Sequence, residues 1–237
     1  DFRRRGIGMR LYDHARDMLA ARDPRPQILI SETREDQTGA LAMLEKLGYE
    51  AVMRYNVSEL RLDDFDPAPF AKSLARAEAA GITTHTLAEL KHRYPDWLQR
   101  LYDLDWELWQ DVPSTDPPKK QSIEVFETNL NANNMLPEAY FIALDGDTWV
   151  GVSFLITSEA DQDRLFTGLT GVRRSHRRKG VATTLKLRAF DFARQYGAAI
   201  IRTDNEANNP MYALNMALGF KPVPSWVEFQ KSLNGAE

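Results

Sequence analysis

A chain of 237 residues, 43% hydrophobic and 27% charged, can bury one large or two small cores and has the balance of a soluble globular protein. Its formal net charge of −4 argues against a duplex-binding protein, and no apolar run approaches the roughly 18–20 residues of a membrane span, so neither nucleic acid nor membrane is an expected partner. The lack of cysteine excludes disulfides and a thiol nucleophile and fits a reducing, cytoplasmic compartment, while His14, His85, His92 and His176 show no metal-ligand spacing, so no metal is expected.

The chain begins at Asp1 rather than Met, on the basic turn Arg3-Arg4-Arg5-Gly6-Ile7-Gly8. Leu11, Ala15, Met18 and Leu19 follow at helical spacing, and Ile28-Leu29-Ile30 reads as a short buried strand. A second helix ends at Leu47-Gly48-Tyr49, and Tyr55 to Leu62 alternates like a strand. Residues 63–82 are rich in Asp, Pro and Ala, with a boundary signal at Asp63–Pro67 and a short helix at 70–80. His85–Leu87 reads as a strand, and 88–110 and 121–133 read as helices. Strands follow at 139–145, 148–157 and 164–173, the first two joined by the hairpin turn Asp145-Gly146-Asp147.

Then the opening pattern returns. Arg177-Arg178-Lys179-Gly180-Val181-Ala182 starts a helix carrying Leu185, Ala189, Phe192 and Ala193. Ala199-Ile200-Ile201 forms the strand, Leu218-Gly219-Phe220 ends a second helix, and Trp226 to Leu233 alternates. The copies match along nearly their whole length with one gap of three residues. Strands and helices fill 83–172 ahead of the second turn, and none precede the first. The expected organisation is therefore the back half of a first domain at 1–62, a linker at 63–82 and a complete domain at 83–237, the first copy lacking its front half. The alternative is that residues 1–62 only donate strands to one domain.

The turn at 177–183 carries the clearest chemistry. It lies between a strand and a helix, where unpaired N–H groups and the helix dipole favour an anion. Gly180 lets the backbone approach a ligand, Ala182 keeps the space small, and Arg173, Arg174, Arg177, Arg178 and Lys179 concentrate positive charge. A pyrophosphate is the natural guest; a solvated basic loop before an ordinary helix is the plainer reading.

The longer pattern decides between them. Thr170-Gly171-Val172, the Arg-x-x-Gly-x-Ala turn, the following helix and strand, and Asn208 ahead of Gly219-Phe220 resemble the GNAT superfamily of N-acetyltransferases. The half-repeat at 1–62 is similar to the tandem members of that family. The resemblance implies an α/β (α+β) GNAT fold, a mixed central sheet flanked by helices, with two parallel strands, here 164–172 and 198–204, splaying apart to admit acetyl-coenzyme A. It implies that Thr170, Gly171 and Val172 pair with the pantetheine arm and that Arg177, Arg178, Lys179, Gly180, Val181, Ala182 and Thr183 wrap the pyrophosphate. Asn208 would contact pantetheine.

The transfer needs a base for the amine and a proton for the departing thiolate. A backbone N–H near Val172 is a candidate for stabilising the carbonyl oxygen. Where the family has a Tyr four residues before Gly-Phe, this chain has Asn215, which cannot donate a proton at useful pKa but can hydrogen-bond the sulfur or an ordered water, and water itself can protonate the thiolate. Tyr212, one turn earlier, is the alternative acid or a packing residue. Asp204, Glu206, Glu107 and Asp111 are candidate bases, each more readily read as a surface or helix-stabilising charge. Glu107, Trp109 and Asp111, with Trp106, are placed at the acceptor pocket, although both tryptophans also suit an amphipathic helix core. The first copy keeps Arg3, Gly6 and Gly8 but has Gln37 and Leu44 at the Asn and Tyr positions, which suggests a degenerate domain. The expectation is an acetyl-coenzyme A-dependent N-acetyltransferase acting on a small-molecule amine. The alternatives are a non-catalytic acyl-coenzyme A-binding module and a protein N-terminal or lysine acetyltransferase. The open sheet edge of a half-domain would favour a homodimer.

Overall fold

The computed structural model describes residues 5–113, 118–206 and 208–233; Arg3 of the first basic turn lies outside them. The chain packs as two compact units, Asp1–Arg54 with Trp226–Glu237, and Tyr55–Ser225.

In the first unit, helix α1 (Ile7–Ala20) leads to strand β1 (Ile28–Arg34), helix α2 (Thr38–Lys46) and the start of β2 (Glu50–Arg61). The last part of β8 (Lys221–Ser232) pairs antiparallel with β1, from Ile28↔Ser232 to Arg34↔Trp226. Leu29, Leu44, Tyr49 and Phe229 form its small core, with Tyr12 edge-on to Tyr49 at 6.2 Å. The expected buried strand at Ile28–Ile30 is buried on one side only. Leu29 is 7% exposed, whereas Ile28 and Ile30 are 52% and 56% exposed. Successive strand side chains point to opposite faces, so an apolar run is wholly buried only where both faces are covered.

The second unit holds a mixed sheet. β3 (Ile82–Thr86), β4 (Met135–Asp145), β5 (Thr148–Ile156) and β6 (Arg164–Val172) pair antiparallel in succession. β6 then pairs in parallel with β7 (Ile200–Glu206), and β7 pairs antiparallel with the second half of β2. The chain thus passes β2 into this unit and β8 out of it. Along β4 the two faces separate cleanly: Tyr140, Ile142 and Leu144 join one core and Ala139, Phe141 and Ala143 the other. The first core takes α4 (Leu87–Arg93), α5 (Trp97–Trp109) and α6 (Ile123–Leu130). The second takes α3 (Ala71–Ala79) and α7 (Val181–Tyr196), with Leu218 just beyond α8 (Pro210–Ala217).

Two sequence expectations are corrected here. The single helix expected at 88–110 is two, because Tyr94 precedes Pro95 and is held extended at φ −121°, ψ 110°. The strand expected at 85–87 is β3, ending at Thr86, because Thr86 and Glu89 form a reciprocal capping box that starts α4 at Leu87. Among the described residues no helix is long and apolar enough to cross a membrane.

Phe190 on α7 is 1% exposed and lies edge-on to Phe65 at 5.0 Å and tilted on Phe220 at 5.8 Å. Truncation to Phe190→Ala should cost about 3–5 kcal/mol. Urea denaturation checks this; a loss below about 1 kcal/mol would mean that this ring stack is not central to the core.

Candidate active site

The site is built around β6. Against β5 its ladder runs Gly151↔Val172, Val152↔Gly171 and Ser153↔Thr170, then jumps to Leu155↔Thr167. Gly168 and Leu169 therefore stand against Phe154 alone, which is a β-bulge. A Cβ on Gly168 would lie 2.0 Å from the Phe154 ring, itself stacked on Tyr140 at 4.4 Å. On the other side, β6 pairs with β7 only from Arg164↔Ile200 to Phe166↔Arg202. Beyond Phe166 the strands part, while β7 stays paired to β2 as far as Tyr55↔Glu206. Residues Thr167–Val172 face the gap without a β7 partner, the splay that the resemblance implied.

Two cavities of the second unit meet at this gap. The smaller, about 440 Å³, is bounded by Gly171, Val172 and the basic turn; the larger, about 960 Å³, lies toward α5, α8 and the end of β7. Val112, Leu169, Thr170, Asn209 and Met211 line both, so they mark the junction. The Thr170 hydroxyl is 2.9 Å from that of Ser153.

The basic turn is shaped by two left-handed residues, Arg178 at φ 62° and Gly180 at φ 84°. Such a turn directs successive N–H groups to one side, toward the start of α7. Arg177 Nε donates to the Val172 carbonyl at 3.0 Å, and an Arg76 NH group donates to the Arg178 carbonyl at 3.1 Å. Gly180 has a second reason to be glycine: a Cβ there would lie 2.1 Å from the Ser73 carbonyl oxygen on α3. Ser73 and Arg76, which sequence reasoning assigned only to a linker, line the smaller cavity with Arg177, Arg178, Ala182 and Thr183. Thr183 is buried and Val181 is 2% exposed.

The cations of this turn are not equivalent. Arg173 pairs with Glu107 at 3.1 Å, and Arg174 and Arg177 both hold Asp111. The hydrogen bond from Arg174, with that from Arg177, keeps the Asp111 carboxyl below the usual carboxylate range. His176 is bound by Asp145 at 3.0 Å. The Arg178 and Lys179 side chains have no carboxylate partner among the described residues, so they remain available to an anion.

The predicted acceptor residues divide. Trp106 and Trp109 line the larger cavity. Glu107 lines neither, being tied to Arg173, and Asp111 lines the smaller cavity beside the basic turn. Asn208 lines neither: its backbone N–H and side-chain amide bind Glu206 at 2.8 and 3.0 Å and hold the corner between β7 and α8. The residue at the junction is Asn209, whose Oδ1 accepts from the Met211 N–H at 2.9 Å and caps α8. Tyr212 also lines neither cavity, whereas Asn215 is 1% exposed, lines the larger one, and donates to Asn205 at 2.7 Å. Asp204 and Glu206 line the larger cavity.

Two ionisable residues of that cavity escaped the sequence reading. Asp105 on α5 is 7% exposed and has no hydrogen-bond or ion-pair partner among the described residues; burial pushes its carboxyl up to about 7. Lys186 on α7 is 1% exposed. Both had one available signal. Asp105 interrupts the buried stripe Leu101, Leu104, Leu108, and Lys186 sits among buried Leu185, Leu187, Ala189 and Phe190.

A splayed parallel pair, a bulged β6 and a basic, left-handed turn at the start of α7 define an acyl-coenzyme A N-acyltransferase. The chain belongs to the acetyltransferase (GNAT) family, whose sequence model matches residues 98–220. A GCN5-related N-acetyltransferase from Sphaerobacter thermophilus superposes with a TM-score of 0.71 at 22% identity, over 98% of this chain and 69% of that one. A tandem GNAT protein from the clavulanic acid biosynthesis pathway gives 0.71 at 21%, over 99% and 72%. A GCN5-related N-acetyltransferase from Kribbella flavida gives 0.62 at 17%, over 94% and 74%. At these identities the likeness is one of fold. No curated protein sequence matches the chain.

The Gly180→Ala variant should distort the turn, since a left-handed non-glycine residue costs about 1–2 kcal/mol before the Ser73 contact is counted. A lowered melting temperature and at least tenfold weaker coenzyme A binding are expected from thermal shift and titration calorimetry. Wild-type values in both would show that the turn does not grip the ligand.

Proposed function

We propose that the second unit transfers the acetyl group of acetyl-coenzyme A to the primary amine of a small molecule. The observation that supports this reading is the parting of β6 from β7 after Phe166↔Arg202. It leaves an unpaired strand edge that runs from the anion-accepting turn to an acid-lined cavity. Unpaired buried backbone groups are costly, so this edge suits a ligand arm that pairs with it as a strand would. Bound acetyl-coenzyme A would supply an activated acyl thioester at the junction.

The residues take distinct parts. Arg178, Lys179 and the N–H groups of Gly180–Thr183 receive the diphosphate. The main chain of Thr170–Val172 holds the pantetheine arm, and Asn209 faces it from the start of α8. The bulge at Gly168–Leu169 frees main-chain groups from the β5 ladder beside the carbonyl to be polarised. Trp106 and Trp109 wall the acceptor cavity, whose size, about 960 Å³, suits a small molecule. Asp204 and Glu206 draw an ammonium group into it. Asp105 is the base: buried, electrostatically coupled to Tyr140 but without a hydrogen bond or ion pair among the described residues, and raised to about 7, it can hold a proton taken from that ammonium near neutral pH. We further read residues 1–62 as the back half of a second, degenerate GNAT-like copy. The exposed Leu11, Met18, Ile28 and Ile30 suit a layer built to be covered on both sides.

Release of free thiol from acetyl-coenzyme A in the presence of a panel of alkyl, aralkyl and amino-sugar amines tests the reading. Stimulation by at least one amine is expected, and its absence throughout would reject acetyl transfer to small amines. The base must be ionised to act, so the rate should rise with pH up to about 7. Asp105→Asn should lower kcat by about 10²–10⁴ and abolish that rise. An unchanged profile would move the base to Asp204 or Glu206.

A further inference from the structure

We propose that Lys186 is the acid that protonates the departing coenzyme thiolate, an assignment that rests on the acetyl-transfer reading above. Three observations converge on it. Lys186 rises from the buried stripe of α7 and lines the larger cavity, with its side chain 1% exposed. It has no hydrogen-bond or ion-pair partner among the described residues, and its nearest recorded contact is the Phe220 ring, 5.7 Å from Nζ. The other positions that could serve are disqualified. Asn215 is not ionisable, its amide nitrogen is committed to Asn205, and its Oδ1 is a buried acceptor without a partner. Tyr212 lines neither cavity.

A lysine so placed has no structural reason to be there. Its ammonium form pays desolvation without a compensating carboxylate, and an unbranched apolar side chain of similar length would fill the same space. Burial lowers its pKa to about 7, which makes it a ready proton donor near neutral pH. The anionic groups that share its cavity are Asp105 on α5 and Asp204 and Glu206 on β7. The remaining titratable groups there are Tyr55, Tyr102, Lys119 and Lys120. Lys120 is already engaged by Asp103 at 3.4 Å.

The transfer balances. The amine nitrogen forms a bond to the thioester carbonyl carbon and the carbon–sulfur bond breaks. Asp105 takes the proton lost by the amine, and the sulfur takes a proton from Lys186. Proton exchange between Asp105 and Lys186, through solvent in the cavity, restores both groups, so one proton moves from the neutral amine to the thiol in each turnover; an acceptor that enters as an ammonium ion first loses its extra proton through Asp105 to solvent.

The acid must be protonated to act, so kcat of the wild-type protein should fall as pH rises above about 7. Lys186→Met should lose about a hundredfold or more in kcat while KM for acetyl-coenzyme A stays within about threefold, and the high-pH fall should vanish. Its melting temperature should equal or exceed that of the wild type, which a merely structural lysine would not allow. Lys186→Gln is the companion variant, with the same expected loss. Wild-type turnover that persists within threefold in either variant, or a wild-type profile without the high-pH fall, would overturn the assignment alone. A wild-type protein that turns over no amine would overturn the acetyl-transfer reading and this assignment with it.

Discussion

Parallel strands gain stability from every rung of their ladder, yet β6 and β7 share only three residue pairs before they separate. The separation leaves one edge of a central strand without its partner, in a part of the sheet covered by helices on both faces. Such an edge is stable only when something else supplies hydrogen bonds or when water reaches it. Both cavities open on this gap, and the residues that line both are the ones at its mouth. The bulge at Gly168–Leu169 belongs to the same arrangement, because it turns β6 away from regular pairing on its other side as well.

The turn after β6 shows how one residue can answer two demands. Left-handed Gly180 starts α7 with its N–H groups directed outward, as an anion site requires. It also accepts the close approach of the Ser73 carbonyl, which packs α3 against the turn. The surrounding arginines are partly spent within the protein. Asp111 and Glu107 neutralise three of them and tie the end of α5 to the turn, so the loop after α5 is positioned by the charges of the turn. Among the described residues, no carboxylate pairs with Arg178 or Lys179.

The larger cavity breaks the rules that the rest of the unit obeys. Each core face is apolar and well packed, but Asp105 and Lys186 sit on buried helical faces with no hydrogen bond or ion pair among the described residues. Both pKa values move toward neutrality for the same reason, the loss of water around the charged form. A fold gains nothing from such groups, whereas a proton-transfer reaction does, and departures from packing logic of this kind collect at functional sites.

The family pattern was legible in the chain: the basic Gly turn, its recurrence, the order of strands and helices around it, and Gly219-Phe220. These are local signals, since turn geometry, helix starts and period-2 or 3.6 spacing depend on residues near one another in the chain. It also placed Thr170–Val172 and the 177–183 turn on the right elements. The fold was needed to show that Asn209 rather than Asn208 lies at the junction, that Tyr212 lines neither cavity, and that Glu107 and Asp111 pair with the arginines. It alone revealed that Asp105 and Lys186 line one cavity, from helices roughly eighty residues apart in the chain. Burial and the pairing of charges are properties of distant segments brought together, and no spacing within one segment encodes them.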